Sequence, residues 1–285
     1  MIMPETYKNT IIIIGGPNAG KTHFGGQLYG RLQTKKSRYK ITSPPEDLTI
    51  FKEVLDNLNE GKSAGHTHAN EHKTLELKLE NANGIGSVFS FPDYGGEQIK
   101  AIVNDRRLNL VWKEQVDKGN FWMLFIRPDE ILPVEDVVNR SLPDHEVLKK
   151  RNSEPGPIAL SEAAFYIELL QILLFTKKCS LKNRIEKPKL TIVLSCWDLL
   201  TSSELKLKPS EILRQKLPAL SEFIESNWEN NSLQVIGLSS TGKTLSDKVS
   251  DMDFIKKGPE NFGYIISTDG QNEPDLTLAI SSFIE

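Results

Sequence analysis

Disulfides, structural zinc and membrane spans all lack material in this chain of 285 residues. Its two cysteines, Cys179 and Cys196, make no framework, and nothing in their spacing suggests a zinc site. A reducing, cytoplasmic setting is the simple expectation. The longest apolar-rich run, residues 163–175, contains Glu168 and Gln171 and is too short to cross a bilayer. It reads as a buried or interfacial helix. The N-terminus lacks the basic start and long apolar stretch of a signal peptide. Charge of one sign is scarce as well: the formal net charge is −3, and no basic block stands out. Neither nucleic acid nor a membrane is therefore expected as a partner. No internal repeat or low-complexity tract is present. What remains is 38% hydrophobic and 26% charged residues, a globular composition on a chain long enough to bury a core.

The most informative stretch is Ile11-Ile12-Ile13-Ile14 followed by Gly15-Gly16-Pro17-Asn18-Ala19-Gly20-Lys21-Thr22 and then His23-Phe24. Four β-branched residues form a buried strand, and G-x-x-x-x-G-K-T follows it as a helix begins. Glycines in such a loop let backbone N–H groups close around an anion, and the helix N-terminus adds partial positive charge. Lys21 is placed to reach the β- and γ-phosphates and Thr22 to ligate magnesium. A second match, Gly237 to Thr244, also follows a strand-like run, but short polar sequence rather than a helix comes after it. It reads as a coincidence over a different motif.

Along the chain, a first helix is expected to about Arg31, with Phe24, Leu28 and Leu32 on one face. Gly25 and Gly26 weaken that helix, so close packing is expected there. Ser43-Pro44-Pro45-Glu46 signals a helix start, and Gly61 stops that helix. Residues 62–73 read as a loop. Alternation at Leu75, Leu77 and Leu79, the turn at residues 81–84 and the run 87–91 make a hairpin. A helical region follows at 97–118, then a fully covered strand at 120–126. Residues 127–160 hold five prolines and read as an insertion or mobile loop. Helices at 161–177 and 209–228 alternate with strands at 190–194 and 233–237, and a last helix is expected near 274–284. Strands alternating with helices mean an α/β fold, a mainly parallel sheet with helices on both faces.

Two further strand ends carry chemistry. Residues 87–91 lead into Pro92-Asp93-Tyr94-Gly95-Gly96-Glu97-Gln98. An aspartate there holds magnesium through water, and a glycine three residues later offers its N–H to a γ-phosphate. The strand 190–194 ends in Ser195-Cys196-Trp197-Asp198, where a carboxylate accepts hydrogen bonds from N1–H and the 2-amino group of guanine. After the strand at 233–237, a backbone N–H near Ser239-Ser240 is placed to meet guanine O6.

These pieces, in this order, resemble a Ras-like P-loop GTPase of the translation-factor-related class over residues 10–241. The phosphate loop, Asp93-x-x-Gly96, Asp198 closing an N-K-x-D-type motif and Ser239-Ser240 as the S-A-type motif carry the resemblance. Gly61 with Thr67, Asp93 to Glu97, and Gly258-Pro259-Glu260-Asn261-Phe262-Gly263-Tyr264 are similar to bacterial double-GTPase proteins of conflict or defence systems. The resemblance implies a single GTPase domain with core 10–241, insertion 127–160 and a C-terminal extension 242–285. It implies guanine nucleotide held by Gly15, Asn18, Ala19, Gly20, Lys21, Thr22, His23, Asp198, Ser239 and Ser240. Magnesium would sit on Thr22, Thr67 and Asp93, and Lys21, Gly96 and Glu97 would line the reacting phosphate. Protein partners in a multi-component system are implied too.

Departures from the pattern matter. Ser195 and Cys196 replace the asparagine and lysine of N-K-x-D, which lowers the expected affinity for the base. Glu97 stands where Ras-like proteins place a water-orienting glutamine. A carboxylate is repelled by the γ-phosphate, so slow hydrolysis is expected. Gln98 is a substitute if the loop is shifted, Thr74 is the alternative switch threonine, and Arg106 or Arg107 is a candidate finger in cis. His66, His68 and His72 suggest either a metal cluster or a plain polar loop. The expected function is a slow GTP-binding switch. Its rivals are a non-hydrolysing scaffold and, less well supported, an ATPase or small-molecule kinase.

Overall fold

Ile11 and Ile13 face one side of a sheet and Ile12 and Ile14 the other, all but solvent-free. That period of two, with both faces apolar, is the signature of a strand covered by helices on each side. A computed structural model describes residues 9–34, 37–45, 47–64, 73–93, 97–131 and 160–280. In chain order its elements are β1 (Asn9–Gly15), α1 (Lys21–Gln33), β2 (Tyr39–Ser43), α2 (Thr49–Asn59), β3 (Lys73–Asn81), β4 (Gly86–Asp93), α3 (Glu97–Asp105) and α4 (Leu110–Lys118). There follow β5 (Phe121–Ile126), α5 (Glu162–Thr176), β6 (Lys189–Leu194), α6 (Pro209–Lys216), α7 (Pro218–Asn227), β7 (Leu233–Ser239), α8 (Met252–Lys257), β8 (Tyr264–Ile266) and β9 (Asn272–Glu273).

The strands form one sheet in the order β2-β3-β4-β1-β5-β6-β7-β8-β9. Its centre, β4-β1-β5-β6-β7, is parallel. Antiparallel strands extend both flanks, β3 and β2 on one side and β8 and β9 on the other. One apolar cluster joins Ile11 and Ile13 to α1, α2 and the C-terminal residues 276–280. The other joins Ile12 and Ile14 to α3 through α7. Parallel strands so ordered bring the ends of β1, β5, β6 and β7 to one rim, where α/β proteins bind ligands.

Several elements differ from the expected ones. Strand β2 was not expected; Ser43 closes it, and α2 begins only at Thr49. The helical region 97–118 is two helices, and Arg106 takes a left-handed φ of 50° between them. The expected helix 209–228 is also two, because Pro218 drives Leu217 out of the helical region to φ −135°. Helix α8 was not expected. Of the last helix, Leu278–Ile280 are helical and residues 281–284 lie outside the described residues. Most of the insertion, 132–159, lies outside them too; Pro128–Glu130 at its start is a single 3-10 turn.

The two glycines of α1 are explained by packing. A Cβ at Gly25 would come within 2.5 Å of the Phe51 ring and 2.7 Å of the Phe91 ring. One at Gly26 would meet Val54 at 2.8 Å. Helices α1 and α2 therefore touch through bare backbone. Gly25→Val is expected to destabilise the fold by about 1–3 kcal/mol through overpacking. A denaturant midpoint unchanged from the native chain would show that Phe51 and Phe91 give way without cost.

Candidate functional site

The loop after β1 is shaped by its glycines and by one asparagine. A Cβ on Gly15 would lie 2.8 Å from the Phe125 carbonyl oxygen, so only glycine lets β1 and β5 close at the rim. Asn18 and Gly20 adopt left-handed φ values of 57° and 75°, which turns successive N–H groups into one concavity. The first α-helical hydrogen bond runs from Phe24 N–H to Gly20 O at 3.0 Å. The amides of the first turn of α1 therefore open towards the loop, with the positive end of the helix dipole behind them.

Lys21 leaves the helix and folds back over this loop. Its Nζ donates to Gly15 O at 2.8 Å and to Gly16 O at 2.7 Å. Though partly exposed by surface area, the ammonium is closed in by backbone, and that desolvation pulls its pKa down to about 8. An anion at the loop would raise it again and hold the ammonium charged. Thr22 stands beside Lys21 in the first turn. His23 is half-buried, and desolvation lowers its pKa; its Nε2 accepts the Ala64 N–H at 3.2 Å. This ties α1 to the segment that follows α2.

The β6 rim supplies the next wall. Ser195 donates through both its backbone N–H (2.9 Å) and its Oγ (3.2 Å) to Ile126 O. Its side chain lies against the α-carbon of Gly20. Cys196 follows in a left-handed conformation, φ 52°, and burial pushes its thiol up to about 11, so it stays neutral. Trp197 is buried, and Gly237 makes room for its indole: a Cβ there would sit 2.5 Å from the ring. That packing fixes Asp198. Its Oδ1 accepts the Ser239 hydroxyl at 2.5 Å, and Ser239 Oγ in turn accepts the Gly242 N–H at 2.9 Å.

The second G-x-x-x-x-G-K-T match is used otherwise. Gly237 serves Trp197, Gly242 turns the chain at φ 71°, and Lys243 pairs with Asp251 at 2.6 Å while lying over the Phe262 ring. Lys243 anchors the following segment rather than facing the rim loop after β1. That segment also contributes Tyr264, which pairs with Ser239 in the sheet and whose phenol pKa is raised by burial and then by the Asp198 charge. Neither Tyr264 nor Trp197 was singled out from the sequence. The signal for the latter was its place directly before Asp198.

Residues 242–280 are tied to the rest of the molecule beyond the β7–β8 pairing. Arg31 of α1 donates to the carbonyls of Phe262 (2.6 Å), Gly263 (3.1 Å) and Pro274. Ser63 N–H donates to Ser246 O and Asp251 N–H to Gly61 O, at 3.0 and 2.9 Å. Gly263, at φ 88°, packs its α-carbon against the Ser240 carbonyl.

Other expected site residues fall differently. Asp93 is the last residue of β4, three beyond the Ser90–Ile12 pair as Gly15 is on β1, so its backbone reaches the rim. Its carboxylate lies outside the described residues, as do Thr67, Gly96, His66, His68 and His72 and the side chain of Thr74. Glu97 opens α3 and is largely exposed, 3.8 Å from Lys100. Gln98 accepts the Trp112 indole N–H at 3.3 Å, which holds it on the core side of α3. Arg106 pairs with Glu168 of α5 at 2.7 Å. Among the described residues no group of His, Cys, Asp and Glu forms a metal cluster, and no helix is long and apolar enough to cross a membrane.

A strand running into an anion-cradling loop, with a carboxylate held ready two strands away, is the arrangement of a P-loop GTPase. The model of the double-GTPase 1 family matches residues 12–283, and the chain belongs to that family. No curated protein matches it. Among solved structures it is similar to the Arl6 BBS3 small GTPase of Trypanosoma brucei (10% identity, 81% of this chain and 87% of that one, TM-score 0.38). It is similar also to the signal recognition particle receptor complex of Chaetomium thermophilum (14%, 84% and 93%, TM-score 0.38). A bacterial selenocysteine-specific elongation factor matches at 13% identity and TM-score 0.36 over 81% of this chain, which spans 25% of that factor's length.

Proposed function

We propose that this chain is a magnesium-dependent guanine-nucleotide switch with slow intrinsic hydrolysis, built as one domain with core 10–241, insertion 127–160 and extension 242–285. The observation that carries it is the pairing, on one rim, of Lys21 over the loop carbonyls with Asp198 held by Ser239. The loop amides and Lys21 bind the phosphates, while Asp198 and the Ser239-Ser240 turn read guanine. Thr22, in the first turn of α1, would ligate magnesium, with Asp93 and Thr67 as the further ligands. Magnesium held by these residues would neutralise charge that develops on the phosphates.

Slow turnover follows from Glu97. No hydrogen-bond donor stands at that position, and Gln98 and Arg106 are engaged elsewhere. Steady-state phosphate release from the isolated chain is expected on the order of 10⁻⁴ to 10⁻² s⁻¹. The γ-phosphate is expected to order residues 62–73 and 94–107, read as hydrogen-exchange protection with a non-hydrolysable GTP analogue over GDP. Equal protection with both nucleotides would replace the switch by a nucleotide-binding scaffold, which Glu97 otherwise favours. The family resemblance supports a cytoplasmic place in a multi-component bacterial conflict system, where a protein partner supplies the missing catalytic group.

A further inference from the structure

The loop between α5 and β6 concentrates positive charge. Residues 177–189 hold Lys177, Lys178, Lys182, Arg184, Lys187 and Lys189 against one carboxylate, Glu186. The chain as a whole is acidic, so the remainder of the molecule carries the opposite sign.

Part of this charge is structural. Lys177 Nζ donates to Val116 O and Asp117 O, both at 3.0 Å, and caps the end of α4. Arg184 donates to Trp228 O at 3.0 Å. Lys178, Lys182 and Lys187 are different: they are exposed, and none makes an ion pair among the described residues. The exposed cations Arg106 and Arg214, by comparison, pair with Glu168 and Glu225.

The loop is held in one shape. Ile185 is buried; its N–H donates to Asn227 O at 2.7 Å and its carbonyl accepts the Glu229 N–H at 3.0 Å. The Trp228 indole donates to Pro188 O at 2.9 Å. Lys178 turns the end of α5 in a left-handed conformation, φ 59°, a place that glycine normally takes. Two large apolar side chains stand out beside these cations: Phe175, 85% exposed, and Leu181, 47% exposed.

We propose that this loop, with Phe175 and Leu181, is a docking surface for an anionic lipid membrane. Unpaired lysines at fixed positions match a negative surface, and the apolar pair enters the acyl boundary, two signals acting together. Of the apolar pair only Phe175 offers a π-face to a nucleic-acid base, whereas both side chains suit an acyl boundary, which favours lipid over nucleic acid. The loop leads into the first residue of β6, so it lies at the end of the sheet opposite Gly15, Asp198 and Ser239. A membrane on this face leaves the nucleotide rim open.

Flotation of the full chain with vesicles tests this. Binding is expected to phosphatidylcholine mixed with phosphatidylglycerol, not to phosphatidylcholine alone, and to weaken with added salt. Each lysine near such a surface contributes roughly fivefold, so Lys178→Gln/Lys182→Gln/Lys187→Gln together should lower partitioning by about a hundredfold. Phe175→Ser should lower it separately, and GDP affinity should stay unchanged in both variants, which reports that the fold is intact. Equal flotation of the triple variant and the native chain would overturn the proposal. So would absence of binding to either vesicle, or binding to an oligonucleotide in its place.

Discussion

Replacing Lys21 with alanine lowers GDP and GTP affinity by about a hundredfold or more, ~2.7 kcal/mol. The ammonium is already oriented by Gly15 O and Gly16 O, so its charge-assisted contacts to phosphate cost no search of side-chain conformations. Replacing Lys243, the lysine of the second match, should leave affinity within about twofold, because a half-exposed pair such as Lys243–Asp251 supplies only local stability. Titration with labelled nucleotide separates the two variants, and the opposite pattern would mean that the phosphates bind at the other loop. The native chain adds a pH test. With the free lysine's pKa at about 8 and phosphate raising it in the complex, binding takes up a proton at higher pH. Affinity is thus level below that value and falls by about tenfold per pH unit above it. This slope should vanish in Lys21→Ala.

Asp198→Asn moves preference from guanine to xanthine nucleotides. The geometry says which way the new amide faces. Ser239 Oγ accepts from Gly242 N–H and donates its proton to residue 198, so the amide oxygen must turn to Ser239. The NH₂ group is then left for the base. It meets a donor at guanine N1–H and an acceptor at the 2-oxo group of xanthine. Loss of about a hundredfold for GDP, with a gain for XDP, is expected in competitive titration. Ser239→Ala in the same background should narrow the difference, since the amide is then free to flip. An unchanged GDP affinity in Asp198→Asn would show that the base is read elsewhere.

Where the sequence was legible, one signal dominated each element. Four isoleucines and a glycine loop determine β1 and the start of α1, and strict alternation at Leu75, Leu77 and Leu79 determines the β3–β4 hairpin. Asp198 was legible from its place after a continuous apolar strand. What failed was subtler. Strand β2 is a short edge whose Tyr39-Lys40-Ile41 alternation is lost beside Pro44 and Pro45. Pro218 carried its own message, yet the apolar spacing on either side suggested one helix. The pairing of Gly237 with Trp197 joins residues forty positions apart, and only tertiary packing reveals why that glycine is there. The lysines of 177–189 were hidden by the overall charge balance.

The attachment of residues 242–280 has a thermodynamic consequence. This segment touches the Ser239-Ser240 turn, the Arg31 end of α1 and the Gly61–Ser63 strand of backbone at once. Work done to lift it from any one of these is felt at the others. Binding reciprocity then applies: if nucleotide strengthens the attachment by some factor, a partner that grips the detached segment weakens nucleotide binding by that same factor. Such a partner would be an exchange factor without touching the nucleotide. The size of the coupling can be read as the protection GDP gives residues 242–263 against a protease.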